Sequence, residues 1–236
     1  MIDHGKSNPI YINTFTFIIF RIAADMNFAL SKILKYCESH SSPQSPLANR
    51  LERETNLKTL APQMISGPLQ GRLLKMLCTL AKPKVALEIG TFTAYASLHI
   101  AEGLAEDGIL HTIEVNKELE GIIRKYIEES GYNDRVKVHI GDAHKIIPNL
   151  PGQFDFVFID AGKRFYASLY ELVIDRVNPG GLILVDNVLW SGKVVQQKHD
   201  KDTSVIHSFN EMVHHDERVE NILLPIRDGI LMAIKK

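Results

Sequence analysis

The sequence predicts an α/β fold in which a doubly wound, mostly parallel sheet of seven strands is covered by helices on both faces. From Lys84 onward, short apolar runs rich in β-branched residues alternate with segments whose apolar residues recur at helical spacing. Only Pro225 to Asp228 separate the last two runs, which is too short a connection for a crossover helix. The sheet is therefore predicted to end in an antiparallel hairpin strand.

Seven segments are predicted as strands because each is apolar or β-branched and is bounded by turn-forming residues. Their predicted bounds are Val85–Gly90, Ile109–Val115, Val136–Asp142, Phe154–Asp160, Leu182–Asn187, Val219–Leu224 and Gly229–Lys235. Three intervening segments each predict one helix with an apolar face. The residues of these faces are Leu119, Ile122, Ile123 and Tyr126, then Phe165, Leu169, Leu172 and Val173, and finally Val205, Phe209, Met212 and Val213.

A further helix is predicted ahead of the sheet, from Met64 to Leu80, with Ser66 or Gly67 as its cap and Pro68 in its first turn. Before it, a turn-rich linker from Ser39 to Pro46 follows an earlier helix around Phe28 to Cys37. The buried stripe of the helix ahead of the sheet is predicted to consist of Leu69, Leu73, Met76, Leu77 and Leu80.

The composition limits the binding partners and the cellular compartment that we expect for the chain. At 236 residues with 45% hydrophobic residues, the chain is long enough for one α/β domain with a full core. The formal net charge is -1, so no long-range field favours nucleic acid or a membrane surface. Cys37 and Cys78 lie far apart and outside metal-ligand spacing, which argues against a disulfide scaffold and a zinc site. A reducing cytoplasm is the expected compartment.

The amino-terminal segment carries a short apolar run, Ile10 to Ala24, which is too short to span a bilayer. Three interpretations fit it: a docking segment, a weak secretory signal, or sequence upstream of a true start at Met26. The last is favoured. The expected organisation is an extension at residues 1–25, a helical segment and linker at residues 26–62, and the sheet-containing domain at residues 63–236.

Polar residues at the ends of the first three strands indicate a cofactor site, because open parallel sheets bind ligands beyond their carboxyl ends. Gly90 permits a tight turn and a close approach of the backbone to a ligand. Glu114 can accept hydrogen bonds from both hydroxyls of a ribose, or it is a solvated carboxylate. Asp142 can meet an adenine edge, or it caps the next helix. Together these positions favour an adenosine-containing cofactor.

The fourth and fifth strands each deliver a carboxylate at the tip, Asp160 and Asp186, and Asn187 follows the second. Neighbouring strands lie about 4.8 Å apart, so these residues can offer three oxygen ligands to a hard cation such as Mg²⁺. The alternative is that each aspartate caps a helix. Lys163 comes three residues after Asp160, and a cation there would favour proton removal from a bound hydroxyl. Its alternative role is that of a surface lysine.

These residues, in this order, resemble the cation-dependent O-methyltransferases of the caffeoyl-CoA and catechol type. The resemblance implies a class I methyltransferase with a Rossmann-like fold, S-adenosylmethionine as methyl donor, a divalent cation, a small hydroxylated acceptor and a homodimer. The motifs that carry it span about 170 residues and are Met64–Gly71, Glu88–Thr93, Asp160–Lys163, Asp186–Trp190 and Leu224–Gly229.

The resemblance also implies residue roles. Lys163 is the base; Asp160, Asp186 and Asn187 bind the metal. Trp190 and Asp228 fall near the acceptor. The positions expected to contact the cofactor are Met64, Ser66, Glu88, Gly90, Thr91, Ala96, Ser97, Glu114, Asp142, Ala143 and Asp160.

The chain departs from the family pattern at two places. Ala94 and Ala96 stand where the family has glycine and serine, so a hydroxyl that helps to hold the methionine carboxylate is absent unless Ser97 substitutes for it. Gly162 replaces an acidic residue that is another potential cofactor contact. Neither change affects the predicted metal or base positions.

The predicted function is methyl transfer from S-adenosylmethionine to a hydroxyl of a small, catechol-like acceptor with vicinal hydroxyls. A hydroxyuridine in tRNA is an alternative acceptor, disfavoured by the near-neutral charge. A nicotinamide-dependent dehydrogenase would explain Gly90 and Glu114 but leaves Lys163 and the metal positions unexplained. The altered turn at Ala94 and Ala96 keeps a non-catalytic cofactor-binding protein as a further alternative.

Overall fold

The computed structural model describes residues 32–236, of which residues 32–43 belong to a first unit and residues 44–236 form a second, compact unit. In the first unit a helix, α1, occupies residues 32–39, and the helix predicted around Phe28 to Cys37 is thus present in its described part. The apolar run Ile10 to Ala24 and the favoured start at Met26 lie outside the described residues. Among residues 32–236, no helix combines the length and apolar composition needed to cross a membrane.

The second unit is built on a seven-stranded sheet. Its strands are β1 Val85–Ile89, β2 Ile109–Glu114, β3 Val136–Ile140, β4 Phe154–Ile159, β5 Val177–Asp186, β6 Val219–Leu224 and β7 Ile230–Lys235. They lie in the order β3-β2-β1-β4-β5-β7-β6. Strands β1 to β5 run parallel, and β7 pairs antiparallel with both β5 and β6. The predicted fold class, including the terminal hairpin, is therefore confirmed.

Helices cover both faces of this sheet. They are α2 Pro46–Lys58, α3 Gly67–Ala81, α4 Tyr95–Gly103, α5 Glu120–Ser130, α6 Ala143–Ile146, α7 Tyr166–Ile174 and α8 Lys201–His214. One hydrophobic core lies between one face of the sheet and α2, α3, α4 and α5, and a second lies between the other face and α7 and α8. Leu169 and Val173 of α7 and Phe209 and Val213 of α8 are buried as predicted, whereas Phe165 precedes α7 and is 38% exposed.

The stripe predicted for α3 was wrong at Met76 and Leu80, which are 58% and 81% exposed, whereas Leu73 and Leu77 are half-buried against the core. The helix instead buries Gln70, Gly71, Leu74 and Cys78. Helices α3 and α4 approach closely through glycines: a Cβ on Gly103 would lie 2.5 Å from the Cys78 Cβ, and one on Gly71 would lie 2.9 Å from the ring of His99. This close approach turns a different face of α3 inward.

Several element boundaries differ from the sequence prediction, and two of these differences have clear local reasons. Strand β5 begins at Val177, ahead of Leu182, because Val177 pairs with Phe154 across a register irregularity in β4. Helix α2 begins at Pro46, within the predicted linker, where the Ser45 hydroxyl caps it by accepting a hydrogen bond from the Ala48 N–H. Helix α2 approaches the turn after β1, since the Thr55 hydroxyl donates to the Thr93 hydroxyl at 2.9 Å.

Candidate active site

The tips of β1 and β4 touch through a glycine. Gly90 has φ +103°, and a Cβ there would lie 1.9 Å from the carbonyl oxygen of Asp160, so no side chain can be accommodated. The Asp160 N–H donates to the Ile89 carbonyl at 2.8 Å, and the Gly90 N–H donates to the Ile113 carbonyl at 2.9 Å. Gly90 is therefore required by the close contact of three parallel strands as well as by the turn that follows.

A small pocket opens beside this contact, between the start of α3 and the turn from β1 into α4. The backbone of this turn is left-handed at Phe92 and Ala94, with φ +50° and +73°. Six residues of the pocket are among the predicted cofactor contacts: Met64, Ser66, Gly90, Thr91, Ala96 and Asp160. The remaining lining residues are Ile65, Phe92 and Tyr95.

The acidic residues at the tips of β2 and β3 are held by main-chain donors. Glu114 is 7% exposed, and its two carboxylate oxygens accept hydrogen bonds from the N–H groups of Phe92 at 2.8 Å and Asn116 at 2.7 Å. Asp142 is exposed and caps α6 by accepting from the His144 N–H at 2.9 Å, a hydrogen bond that lowers its pKa. The helix-cap alternative for Asp142 is thus present, and Ala143 begins that helix.

Glu88 forms a buried polar cluster with two hydroxyl groups behind the turn from β1 into α4. Its carboxylate accepts hydrogen bonds from the hydroxyls of Ser97 and, at 2.6 Å, Thr112, while its Oε1 atom has no hydrogen-bond partner among the described residues. Burial raises the pKa of Glu88 to about 7, despite the two donors. The Ser97 hydroxyl is therefore committed to Glu88, and in this structure it does not replace the serine that the family pattern places at Ala96.

Asp160 and Asp186 stand side by side at the tips of β4 and β5, directly after the paired residues Ile159 and Val185. Loss of solvation raises the pKa of Asp160 well above its usual range; the charge of Asp186 adds to this effect, and the ammonium of Lys163 opposes it. Burial also raises the pKa of Asp186, which is 3% exposed. Two like charges held close together outside bulk water are unfavourable unless one carboxyl keeps its proton or a cation lies between them.

The main chain turns sharply after β5. Asn187 has φ +58°, a left-handed conformation that asparagine tolerates better than most residues. The Tyr166 hydroxyl donates to the Asp186 carbonyl at 2.8 Å, and the Val188 N–H donates to the Gly229 carbonyl at 3.2 Å. These bonds fix the segment that carries Asp186 and Asn187 to α7 on one side and to the β6–β7 turn on the other.

Lys163, Trp190 and Asp228 gather at this same edge of the sheet. The Lys163 ammonium lies 4.3 Å from the centroid of the Trp190 ring, close enough for a cation–π interaction. The Asp228 carboxylate accepts a hydrogen bond from the N–H of Ser191, the residue after Trp190. The Nε1 atom of Trp190 is buried and has no hydrogen-bond partner within residues 32–236. The three residues predicted for proton transfer and for the acceptor are therefore neighbours of the two aspartates.

The donor atoms at this edge fit a hard divalent cation. Within residues 32–236, no three His, Cys, Asp or Glu side chains are grouped closely enough to hold a metal ion. The predicted metal ligands do not form a group of that kind, because the third ligand beside the two carboxylates is the side-chain amide of Asn187. Carboxylate and amide oxygens are the ligands that Mg²⁺ and Ca²⁺ prefer, and the raised pKa of both aspartates is what a bound cation would reverse.

Sequence reasoning missed one buried polar residue that touches this edge, Gln70. It is fully buried in α3, and its side-chain amide donates to the Asp186 carboxylate at 2.6 Å. The sequence gives no signal for Gln70. Its partner, Asp186, lies far along the chain, and the leucines of α3 occur on several sides of the helix, so the buried side could not be identified.

A sequence model of the O-methyltransferase family matches residues 38–236, which is most of the chain. The chain belongs to the O-methyltransferase family. It is 34% identical over 205 residues to tricin synthase 2 of Oryza sativa subsp. japonica, covering 80% of this chain and 70% of that protein. It is 31% identical over 209 residues to a caffeoyl-CoA O-methyltransferase of Petroselinum crispum, covering 83% and 87%.

Solved structures agree with this assignment. An O-methyltransferase from Bacillus cereus in complex with SAH superimposes with a TM-score of 0.79 at 28% identity, covering 86% of this chain and 96% of that one. The prediction of an S-adenosylmethionine-dependent O-methyltransferase is thereby confirmed. The dehydrogenase alternative is set aside, because the chain belongs to the O-methyltransferase family.

Proposed function

We propose that this O-methyltransferase acts on a hydroxyl of a small acceptor that carries two vicinal oxygens, with the assistance of a divalent cation, for which Mg²⁺ is expected. The observation that carries the proposal is the pair of aspartates, Asp160 and Asp186, whose pKa values are both raised at adjoining strand tips. Strongly perturbed carboxyl groups cluster at functional sites, and carboxylate oxygens are ligands that Mg²⁺ prefers. Lys163 lies beside the pair and lowers the pKa of Asp160.

In this proposal S-adenosylmethionine occupies the pocket beside Gly90 and supplies an activated methyl group. Glu114 holds the ribose hydroxyls, since each oxygen of its oriented carboxylate keeps a lone pair after accepting one main-chain hydrogen bond. Met64, Ser66, Thr91 and Ala96 line the pocket. Glu88 and Ser97 support the turn from behind, and Asp142 with Ala143 flanks the adenine.

The residues at the acceptor end have distinct roles in the proposal. Asp160, Asp186 and Asn187 would hold the cation, which when bound neutralises the two carboxylates and favours ionisation of a coordinated hydroxyl. Lys163, as its neutral amine, accepts the proton of the acceptor hydroxyl on Nζ, and the acceptor oxygen then takes the methyl group as the sulfur–carbon bond breaks and S-adenosylhomocysteine leaves. Trp190 and Asp228 position the acceptor. The enzyme contributes mainly orientation and electrostatics, because the methyl donor is already activated.

The proposal is tested by measuring methylation of a catechol by the purified protein with S-adenosylmethionine, with and without Mg²⁺. Lys163→Met is expected to lower kcat by about 10²–10⁴-fold, with the affinity for S-adenosylmethionine unchanged, because the variant loses the proton acceptor. Arg164→Met is the matched control, since it removes an exposed cation from the same turn. Equal turnover in excess chelator would exclude the cation, and equal loss in both variants would exclude Lys163 as the base.

We also propose that the enzyme is a homodimer of the cytoplasm. Both cysteines are free thiols in the structure, which fits a reducing compartment. The exposed Met76 and Leu80 of α3 support an interface between copies, because large apolar side chains seldom face water together. Light scattering is expected to give twice the chain mass, and Leu80→Glu is expected to give one chain mass. A wild-type protein that scatters as a monomer would contradict the proposal.

A further inference from the structure

A continuous chain of contacts links the cofactor pocket to Asp186. Gln70 is fully buried in α3, and its Nε2 donates to Asp186 Oδ2 at 2.6 Å. Its Oε1 accepts from Arg227 Nη1 at 3.4 Å. The same Arg227 nitrogen donates to the carbonyl oxygen of Ile65, a pocket-lining residue, at 2.9 Å. Three separate parts of the chain, the approach to α3, α3 itself and the β6–β7 turn, thus meet at one buried amide.

The chemistry of the partners fixes the orientation of the Gln70 amide. A guanidinium can only donate hydrogen bonds, and an ionised carboxylate can only accept them. The amide oxygen must therefore face Arg227, and the amide nitrogen must face Asp186. Arg227 is itself constrained, because its backbone is left-handed at φ +52° and its guanidinium packs beside Gly67, where a Cβ would lie 3.7 Å from Nη1.

This arrangement constrains the Asp186 carboxylate from both sides. Oδ1 accepts from the Asn187 N–H at 2.7 Å, and Oδ2 accepts from Gln70. Each oxygen keeps a lone pair, so the group is held in one orientation while it can still bind a cation. Hydrogen bonds to the far side of metal-ligating carboxylates commonly set ligand orientation and metal affinity.

We propose that Gln70, locked by Arg227, is a positioning residue that orients Asp186 for the divalent cation and joins the cation site mechanically to the wall of the cofactor pocket. This inference rests on the proposed function, because it needs Asp186 to be a metal ligand. Gln70 touches neither substrate nor cofactor in this role. Its effect is on the affinity for the cation and not on the chemical step.

The first test measures the affinity of the full-length protein for Mn²⁺ by calorimetry. Gln70→Met keeps the side-chain volume and removes the donor, and we expect the Kd for Mn²⁺ to rise at least about tenfold. We expect the Kd for S-adenosylmethionine to stay within about twofold, and kcat to recover at saturating Mn²⁺. Leu74→Met is the matched control, because Leu74 is equally buried one turn further along α3.

The second test separates orientation from charge. Arg227→Met removes a cation that lowers the pKa of both Asp160 and Asp186. If charge alone mattered, a dication would bind more tightly to this variant, because a repelling group has gone. The positioning role predicts the opposite, a Kd for Mn²⁺ that rises about threefold or more as the Gln70 amide loses its fixed orientation.

The possible outcomes distinguish this inference from the proposed function. A wild-type protein that does not bind Mn²⁺ would overturn the cation site itself. A wild-type protein that binds Mn²⁺, with Gln70→Met binding it as tightly, would overturn the role of Gln70 alone. Should Gln70→Met fail to fold, Arg227→Met decides, since it leaves the core of α3 intact; tighter binding of Mn²⁺ in that variant would then reject the inference.

Discussion

The two halves of the sheet edge differ in how their acidic groups are satisfied. At the tips of β2 and β3, Glu114 and Asp142 accept hydrogen bonds from the main chain. At the tips of β4 and β5, Asp160 and Asp186 lie side by side with raised pKa values, although Asp186 accepts hydrogen bonds from Gln70 and from the Asn187 N–H. The acidic groups of the first half are satisfied by the protein alone, whereas the two carboxylates of the second half repel each other when both are ionised. The second half is the part for which we propose cation binding and proton transfer.

The largest expected effect tests this contrast at Asp160. Asp160→Asn is expected to lower activity about 10³-fold, because the proposed cation would lose an anionic ligand and with it several kcal/mol of stabilisation. The same variant is expected to melt at a higher temperature than the wild type when both are free of metal, since one of two crowded charges has gone. Calorimetric melting with chelator and with Mg²⁺ measures both effects. A variant that melts lower without metal would show that the edge is not strained.

Glu88 lies within β1, behind the first half, and it gives the next largest effect. Its pKa is about 7 in the folded protein against 4.5 ordinarily, so the folded state keeps a proton that the unfolded chain loses between these values. The free energy of unfolding should therefore decrease as pH rises from about 4.5 to 7, by on the order of 3 kcal/mol. Urea titrations of metal-free protein at pH 5, 6 and 7 measure this slope.

Glu88→Gln is expected to flatten that slope. The part that remains is due to Asp160 and Asp186, whose raised pKa values act in the same direction, and to His99, His111 and His139, whose pKa values are lowered by burial and act in the opposite direction. Glu54 acts in the opposite direction but at lower pH. Hydrogen bonds from Lys125 and Lys58 lower its pKa to about 2, so its stabilisation is complete above about pH 4.5 and is lost as pH falls. An unchanged slope in Glu88→Gln would place the buried proton elsewhere.

The smallest expected effects compare the two satisfied carboxylates with each other. Glu114→Gln is expected to weaken S-adenosylmethionine binding about tenfold or more, because hydrogen bonds to a charged acceptor are the stronger ones. Asp142→Asn should change it little, since asparagine caps a helix as well as aspartate does. Equilibrium titration of the cofactor gives both values. Equal losses would mean that Asp142 is a true cofactor contact and not chiefly a helix cap.

Much of the fold could be predicted because its signals are local. The β-branched runs from Val85 onward and the short connection Pro225 to Asp228 fix the strands and the hairpin without reference to the rest of the chain. The face of α3 could not be predicted, because leucines occur on several sides of that helix. Only the glycine contacts with α4, which depend on tertiary packing, select the side with Leu74 and Cys78.

The site divides in the same way. Residues at strand ends could be found from the sequence, because the topology brings the carboxyl ends of parallel strands to one edge; Asp160, Asp186 and Lys163 are of this kind. Gln70, Thr112 and Arg227 could not be found, since each acts through a partner brought near only by folding. The role of Ser97 could not be predicted from the sequence either, because its hydroxyl donates to Glu88, a partner that only the folded structure reveals.

The chain contains a single tryptophan, Trp190, which lies against Lys163 at the edge of the sheet that carries Asp160 and Asp186. Its indole lies against the ammonium of Lys163 and comes from the segment that follows Asp186 and Asn187. Ultraviolet emission excited at the red edge of the protein spectrum therefore arises from this one place. The enzyme thus carries an intrinsic fluorescent reporter. Changes at the edge of the sheet that carries Asp160 and Asp186 can be followed in the unlabelled native protein, one ligand at a time and on a stopped-flow timescale.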